Sequence, residues 1–574
     1  MKVLLVRHPE VHVENDGHVS GIPLGLLYIA SALENAGHEV QVYDAVVQAN
    51  TDDSKEQGPE GMYHLGATWD EIHSVVACAS ADVVGISSQY TNQTPSAMKT
   101  AEVVREASKG ATVIVGGASV SIMPAAFLDE CEAVDYAVIG EGEETLVELL
   151  ACLGSDDDKR SISGIAYRDE ATTIITDKRI AIEDLDALPL PAYHLVDMER
   201  YFSFNAAGKD GRNTYAYPGS ERSISMITSR GCPFSCTFCS IHLSMGKQFR
   251  AHSVSNVLSH LEHVKKNYGV NHVHFEDDNL SFDMGRFDSL LDGMLANDYS
   301  ITWDTPNGVR ADYLDEAVLT KCRDSGCTYL RLGVESGNEE VGRLIVRKAL
   351  DLTKVVEISK LCRKIGIDLE AFYIIGFPGE TVAQMKDTID FAVSMERKYG
   401  LLPFDMFTAI PLVGTELYRI SKERGYLTEE KIEEKVPGDS NFIAGWVGMQ
   451  NPGKVKTEEF SSETITGLRR GYARRHLGAR VIYSIKFLLR HPRYLLVRLG
   501  DRAFLRQLIK ALRERKFRSV VNDVFLYRYK NCMLRKVGHQ ALTDTRSHPP
   551  SPLEIQRSSG GATIGEDTEV ASYS

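Results

Sequence analysis

No apolar run in this chain reaches the roughly 18 residues that a membrane-spanning helix needs. The opening Met1-Lys2-Val3-Leu4-Leu5-Val6 enters a strand pattern with no signal-peptide cleavage region after it, so a cytoplasmic location is expected. Paired cysteines are missing too. Of ten cysteines, Cys78, Cys131, Cys152, Cys322, Cys327, Cys362 and Cys532 are scattered without paired spacing, which argues against a disulfide framework. The body of the chain also lacks the positive surplus of a nucleic-acid binder. Formal charge is −15, and Arg469 to Gln540 alone holds 20 Lys and Arg against three acids, a net +17 that leaves −32 on the remainder. A length of 574 residues, 43% of them apolar and 25% charged, describes a soluble globular protein of two or three domains with appendages.

What the chain does have is Ser229-Arg230-Gly231-Cys232-Pro233-Phe234-Ser235-Cys236-Thr237-Phe238-Cys239, directly after the apolar run Ser223 to Thr228. Three thiolates in a C-x3-C-x2-C array converge on one soft metal centre, and Gly231 lets the backbone turn tightly beside it. No fourth cysteine lies near. Structural zinc wants four closed ligands, usually as two separated pairs, and a lone triad on a short loop fits it poorly. A four-iron cluster held by three cysteines leaves one iron open to bind and reduce a substrate or cofactor. The array, with the aromatic Phe238 before its last cysteine, resembles the signature of the radical S-adenosylmethionine superfamily. The resemblance implies that Cys232, Cys236 and Cys239 hold a [4Fe-4S] cluster whose open iron chelates S-adenosylmethionine. It further implies an electron donor such as flavodoxin or ferredoxin, cleavage of the sulfonium to a 5′-deoxyadenosyl radical, and a reducing, low-oxygen setting.

Residues 1–154 alternate short Val/Ile runs with amphipathic stretches. Strands are expected at Val3–Val6, Val40–Tyr43, Asp82–Ser87, Thr112–Val115 and Tyr136–Ile139, and helices from Leu24, Thr68, Pro95, Pro124 and Glu143. This pattern predicts an α/β unit, a doubly wound parallel sheet binding its ligand at the C-terminal strand ends. Pro23-Leu24-Gly25-Leu26-Leu27-Tyr28-Ile29-Ala30, Gly37-His38-Glu39-Val40, Val83-Val84-Gly85-Ile86-Ser87-Ser88, Gly116-Gly117 and Gly140-Glu141-Gly142-Glu143-Glu144-Thr145 resemble, in this order, the cobalamin-binding domain of one large class of radical S-adenosylmethionine enzymes. That resemblance places Ser87, Ser88 and Asn92 near the corrin face, with Gly116 and Gly117 allowing close approach of the nucleotide tail. It also implies a cobalt without a histidine beneath it, since the turn that carries Asp-x-His-x-x-Gly in other cobalamin domains reads Asp44-Ala45-Val46-Val47-Gln48-Ala49. The acids of Gly140 to Glu144 suit a helix entry, because the loop lacks the lysine and Ser/Thr of a phosphate loop.

A connection is expected over 155–222, with the acids Asp156-Asp157-Asp158, a hairpin (Ser163 to Arg168 with Ile174 to Thr176) and a glycine-rich loop, Ala207 to Glu221, bearing Tyr215 and Tyr217. Residues 223–427 again alternate, with strands expected at Ser223–Thr228, His272–Glu276, Thr302–Thr305, Tyr329–Val334, Leu369–Ile375 and Phe404–Ile410. Six such units make the partial (β/α)6 barrel of the superfamily, with functional groups at the C-terminal strand ends. On that resemblance, Glu276 and Asp277 receive the ammonium of S-adenosylmethionine, Arg310 its carboxylate, and Glu335 or Ser336 the ribose hydroxyls or carboxylate. Ile375 to Thr381 would lie against adenine through its small residues, and helix capping is the competing reading for Ser336 and Thr381.

A helical region is expected over 428–542, including a charged helix Glu429 to Glu434 and a loop with Trp446, and a disordered tail over 543–574. The basic amphipathic stretches Tyr483 to Arg490 and Tyr494 to Leu499 read first as a cover packed on the acidic body, and otherwise as a foot giving peripheral contact with an anionic membrane. Together the resemblances, over about three quarters of the chain, imply a cobalamin-dependent radical S-adenosylmethionine methylase. Its substrate would be a small molecule, of natural-product or lipid-like kind, methylated at an unactivated carbon or phosphorus through methylcobalamin. The alternative is a cobalamin-dependent oxidative cyclase or rearrangement enzyme without methyl transfer.

Overall fold

The computed structural model describes residues 1–12, 21–48, 63–155, 158–170, 172–207, 222–427 and 457–492, together with Tyr494, Leu505, Ile509 and Arg513. In β1 (Lys2–Arg7), Val3 and Leu5 face one apolar layer while Leu4 and Val6 face the other, which is why this strand reads as an unbroken apolar run. It pairs in parallel with β2 (Glu39–Asp44) and β3 (Val83–Ser87), and β4 (Thr112–Gly116) and β5 (Tyr136–Val138) follow. The order 2-1-3-4-5 reverses at β1 and so opens a crevice between the C-terminal ends of β1 and β3. Helices α1 (Leu24–Asn35) and α2 (Gly142–Leu153) cover one face of this sheet. The hairpin expected in the connection, β6 (Ile165–Asp169) with β7 (Thr172–Ile175), adds antiparallel to β5 and extends the same sheet.

Farther along the connection, Ala192, Tyr193, Val196, Met198, Tyr201 and Phe202 are buried. Tyr193 and Tyr201 are each 1% exposed, and they join the apolar layer under α1 to the one behind the second sheet. That second sheet holds β8 (Ser223–Met226), β9 (His272–Phe275), β10 (Thr302–Asp304), β11 (Cys327–Glu335), β12 (Asp368–Ile375) and β13 (Leu401–Thr408), all parallel and in sequential order. β13 starts three residues before the expected Phe404. Pro403 interrupts its apolar pattern, but β13 is an edge strand, where a missing N–H on the unpaired side costs no ladder bond. Helices α3 (Val254–Tyr268), α4 (Leu352–Ile365) and α5 (Val382–Tyr399) pack against Val273, Trp303, Leu332 and Leu369 on the outer face. Alternate residues turn inward and are polar but paired. His272 Nε2 and His274 Nδ1 lie 3.0 and 2.8 Å from the two oxygens of Asp304, and Arg331 meets Glu370 at 2.7 Å.

The described part of the basic segment forms α6 (Ser462–Arg490), which buries Ile465, Tyr472, Ala479, Tyr483 and Phe487. Its anchor on α5 is Glu396, wholly buried, with His476 Nδ1 at 2.6 Å and Arg480 Nε at 3.2 Å. Over these residues the segment is a helical cover on the barrel. Tyr215, Tyr217, Glu429 to Glu434, Trp446, Leu495 to Leu499 and the tail 543–574 lie outside the described residues. No helix among the described residues is long and apolar enough to cross a membrane.

One stitch between the connection and the barrel is sensitive to acid. His260 on α3 lies 3.0 Å from the Tyr193 hydroxyl, and burial pushes its pKa down to about 3. The folded protein keeps this imidazole neutral, whereas the unfolded chain protonates it near pH 6.5. Its contribution is therefore complete above pH 6.5 and is lost as pH falls toward 3, at no more than about 1.4 kcal/mol per pH unit. Thermal melts between pH 4 and 8 should show that acid limb in the native sequence and a flatter one in His260→Gln.

Candidate active site

The loop after β8 brings Cys232, Cys236 and Cys239 together as three half-buried free thiols. Its base is closed by a short antiparallel ladder in which Ser229 and Arg230 pair with Ala251 and Arg250. Gly231 has φ +83°, and a Cβ there would collide with the carbonyl of Gln248, so only glycine can make this turn. Thr237 donates through its amide (3.1 Å) and hydroxyl (2.9 Å) to the carbonyls of Val346 and Ile345. Those carbonyls end a π-helical turn (Val341–Val346), and the last carbonyls of a helix have no partner within it. Phe238 packs on Phe377 with ring centroids 6.1 Å apart, beside Val341, Val346 and Leu417. Burial pushes all three thiols up, that of Cys239 to about 12, and each of Cys236 and Cys239 senses the charge of a neighbouring thiol. A soft metal displacing those protons is the natural occupant of three converging sulfurs, so the residues fit a [4Fe-4S] cluster.

The acids after β9 divide by role. Asp277, 1% exposed, accepts from the Thr228 hydroxyl at 2.7 Å, the Ser229 hydroxyl at 2.5 Å and the Thr228 amide at 3.2 Å. Asp278 accepts from the Gly231 amide at 2.9 Å. Both carboxyls are turned into the base of the thiol loop and hold it. Glu276 is half-buried at the strand end, where Ser225 Oγ donates to it at 2.7 Å. Arg310 stacks 4.2 Å over the Phe234 ring and donates to Asp312 at 2.6 Å and to the Lys348 carbonyl at 3.2 Å. Glu335, at φ +64°, receives Lys348 Nζ at 2.8 Å. Lys348, Glu335 and Arg310 are all electrostatic neighbours of the Cys236 thiol, so three charged side chains gather at one edge of the loop. Lys348 carries no motif and was invisible to sequence reading.

Ser336 is engaged in its own turn, receiving the Asn338 amide at 3.1 Å with Thr388 Oγ1 at 3.2 Å, and Thr381 forms a capping box with Gln384. Glu380, fully buried, holds the loop after β12 through the amides of Gly376 (2.7 Å) and Phe377 (3.1 Å).

Across from the thiol loop stand the C-terminal ends of the first sheet. The Ser88 amide donates to Gly116 O at 2.7 Å and the Ser119 amide to Ser88 O at 3.1 Å. Gly117, at φ +109°, brings its backbone so close to the Ser88 carbonyl that a Cβ would sit 2.6 Å from it, whereas Gly116 has ordinary room. Ser87 ends β3, and Asn92 is half-buried in a short helical turn. The Ser88 hydroxyl is fully buried and has no partner among the described residues. An orphaned hydroxyl in a glycine-walled cradle at strand ends fits a polar ligand such as cobalamin. Asp44, heading the turn without histidine, is spent on the Val46 amide (2.9 Å), the Tyr201 hydroxyl (2.8 Å) and Arg7 (3.3 Å). Tyr90, in the same group of loops, lies close enough to Glu276 to sense its charge.

The acids read as a helix entry do stand at one, since α2 starts at Gly142 with Glu143 and Glu144 in its first turn, and two of the acids also join the two halves. Glu141 makes no capping bond. It pairs instead with Arg230 and Arg250, each at 2.8 Å, while Glu143 meets Arg230 at 2.7 Å. Burial works against the charge on Glu141, but the two guanidiniums outweigh it and hold its carboxyl below the usual range. Arg250 also donates to Ile182 O at 2.6 Å. The motif at the head of α2 is thus a clamp on the two strands that bracket the thiol loop.

Comparison with known proteins agrees with this layout. Residues 13–150 match the B12 binding domain and residues 226–392 the radical SAM superfamily. The chain is 28% identical over 457 residues to cytidylyl-2-hydroxyethylphosphonate methyltransferase of Streptomyces wedmorensis, covering 75% of this chain and 83% of that protein. Among solved structures, the cobalamin-dependent S-adenosylmethionine radical enzyme OxsB, with aqua-cobalamin and S-adenosylmethionine bound, shares the fold at TM-score 0.61 and 17% identity, over 97% of this chain and 82% of its own. The radical S-adenosylmethionine methyltransferase TsrM of Kitasatospora setae, with cobalamin and a [4Fe-4S] cluster bound, does so at 0.57 and 17%, over 78% and 84%.

Two outcomes follow from the site. Removing one member of a buried ion pair strands the other, at a cost of about 3 kcal/mol. Arg230→Met should therefore lower the first denaturation midpoint and the iron content after reconstitution, and Arg230→Met with Glu143→Leu should recover much of the stability. Burial pushes the Glu380 carboxyl up to about 7 against the pull of two amides. Its charge is disfavoured in the fold, so stability present at pH 5 is lost as pH rises toward 7, and melts of Glu380→Gln should lack that decline.

Proposed function

We infer from its two domains, a B12-binding domain followed by a radical SAM domain and homologous to those of cobalamin-dependent radical SAM methyltransferases, that this protein methylates an unactivated carbon or phosphorus centre of a small molecule. The observation that carries the reading is the clamp, because it ties the head of α2, which follows the C-terminal end of β5, to the two strands that bracket the thiol loop. With the cofactors in place, S-adenosylmethionine at the cluster supplies a hydrogen-abstracting 5′-deoxyadenosyl radical and cobalamin supplies the methyl group. The protein's own task is placement. Cys232, Cys236 and Cys239 would hold the cluster, and Gly231 keeps their loop turned in. Glu276 would receive the methionine ammonium, and Arg310 and the Lys348–Glu335 pair would grip the carboxylate and ribose. Asp277 would act through the loop it anchors, and Ser336 through the turn it closes. Ser87, Ser88, Asn92, Gly116 and Gly117 would bed the corrin and its tail.

A reduced flavodoxin or ferredoxin in the cytoplasm would deliver the electron. Peripheral contact with an anionic membrane through the basic C-terminal region is supported by apolar side chains left exposed on α6, Ile485 and Leu489.

The test is anaerobic reconstitution with iron, sulfide and cobalamin, then incubation with methyl-labelled S-adenosylmethionine and candidate small molecules. Deoxyadenosine together with label in the product is the expected result. Cys239→Ala should lose both along with the cluster absorbance. Deoxyadenosine with an unlabelled, rearranged or cyclised product would turn the assignment to the cyclase alternative.

A further inference from the structure

At the end of the barrel away from the thiol loop, helices α4, α5 and α6 converge on a cavity of about 790 Å³. Tyr399 lies one residue before Gly400 and the start of β13, and Arg363 closes α4 just before β12, so this is the face of the N-terminal strand ends. Its inner surface carries the aromatic rings of Tyr399, Tyr483 and Phe487, while Arg363, Lys398, Lys486 and Arg490 supply positive walls. Cations in a last turn ordinarily answer a helix dipole. That accounts for each helix end by itself, but not for their gathering around one space. The one carboxylate of the lining, Asp390, is taken by Arg475 at 2.6 Å, and Arg363, Lys486 and Arg490 have no carboxylate partner among the described residues. The cavity therefore has an unbalanced positive field.

α6 also has two apolar sides. Tyr483 and Phe487 face the barrel, whereas Ile482, Ile485 and Leu489 fall one turn apart on the outer side and are 37%, 53% and 77% exposed. At 100° per residue, Lys486 lies between the two sides, at the lip of the cavity. A basic border between a cavity and an exposed apolar stripe is the pattern of a helix lying at a lipid interface.

We propose that this end of the protein seats on an anionic phospholipid surface, with a headgroup phosphate in the cavity and Ile485 and Leu489 among the acyl chains. The guanidinium fork of Arg490 suits phosphate oxygens, Arg363 has N–H groups left beside the one that donates to the Lys398 carbonyl at 2.7 Å, and Lys486 adds a point charge. This deepens the peripheral contact proposed above, and rests on it, by naming the anion and the face. It also changes what the contact does. Substrate is expected at the C-terminal strand ends, on the opposite side of the barrel, so the lipid tethers the enzyme and does not feed its site.

Flotation of the full, cluster-reconstituted chain with phosphatidylcholine vesicles, plain or doped with phosphatidylglycerol, tests this. Binding to the doped vesicles alone is expected, weakened about tenfold or more in Lys486→Glu/Arg490→Glu and also weakened in Ile485→Asp/Leu489→Asp. Absence of flotation, equal flotation with plain vesicles, or binding indifferent to the charge reversal would overturn it. Competition by glycerol phosphate with no effect of the stripe variant would overturn the lipid in favour of a soluble phosphate ester. Labelled methyl in the product, measured without vesicles and expected unchanged in both variants, reports on methyl transfer separately, so either proposal can fail alone.

Discussion

Four buried charges hold the two sheets in one relation. Glu141 and Glu143 reach from the head of α2, Arg230 and Arg250 from the strands on either side of the thiol loop, and none of the four side chains is more than 8% exposed. Ion pairs this dry add little net stability, because removing each charge from water offsets most of the attraction. What they confer is geometry. A buried carboxylate tolerates few partner positions, so the loop cannot slide along the end of the first sheet without stranding a charge.

The loop is held from two further directions. Asp277 and Asp278 fix its base to the end of β9, and Thr237 fixes its far side to the π-helical turn. A site that must line up a cluster, a sulfonium, a substrate atom and a corrin gains most from parts that are already in place before any of them binds. The charged trio at its edge shows the same economy. Glu335 stands in a left-handed conformation that a side chain adopts at some cost, and its pairing with Lys348 keeps both beside Cys236.

Polar residues recur inside the barrel as closed pairs, His272 and His274 on Asp304 and Arg331 on Glu370. They form a core that only partner geometry can satisfy, while the apolar alternates carry the packing against the helices. At the opposite end of the barrel, α6 repeats this division on one helix: Glu396 anchors it from α5, and the basic border lies outside that anchor.

The strands of both sheets were legible within a few residues, because the alternation of faces is written locally, every second side chain. The late reading of β13 came from Pro403, whose local signal is that of a break and whose tolerance depends on standing at an edge. The three cysteines were legible for the same local reason, since ligands to one centre can be supplied by a single short loop. The site around them was not. Arg230 and Glu141 are 89 positions apart, Thr228 and Asp277 49, and Glu335 and Lys348 13, with no period to connect them. Short-range pattern thus determined which layers exist, where their ligand-bearing ends lie and which sulfurs converge. Only the folded chain decided which acids are clamps, which hold the thiol loop and which stay at a strand end, because a carboxylate's role depends on the donor it meets, and that donor arrives from a distant strand.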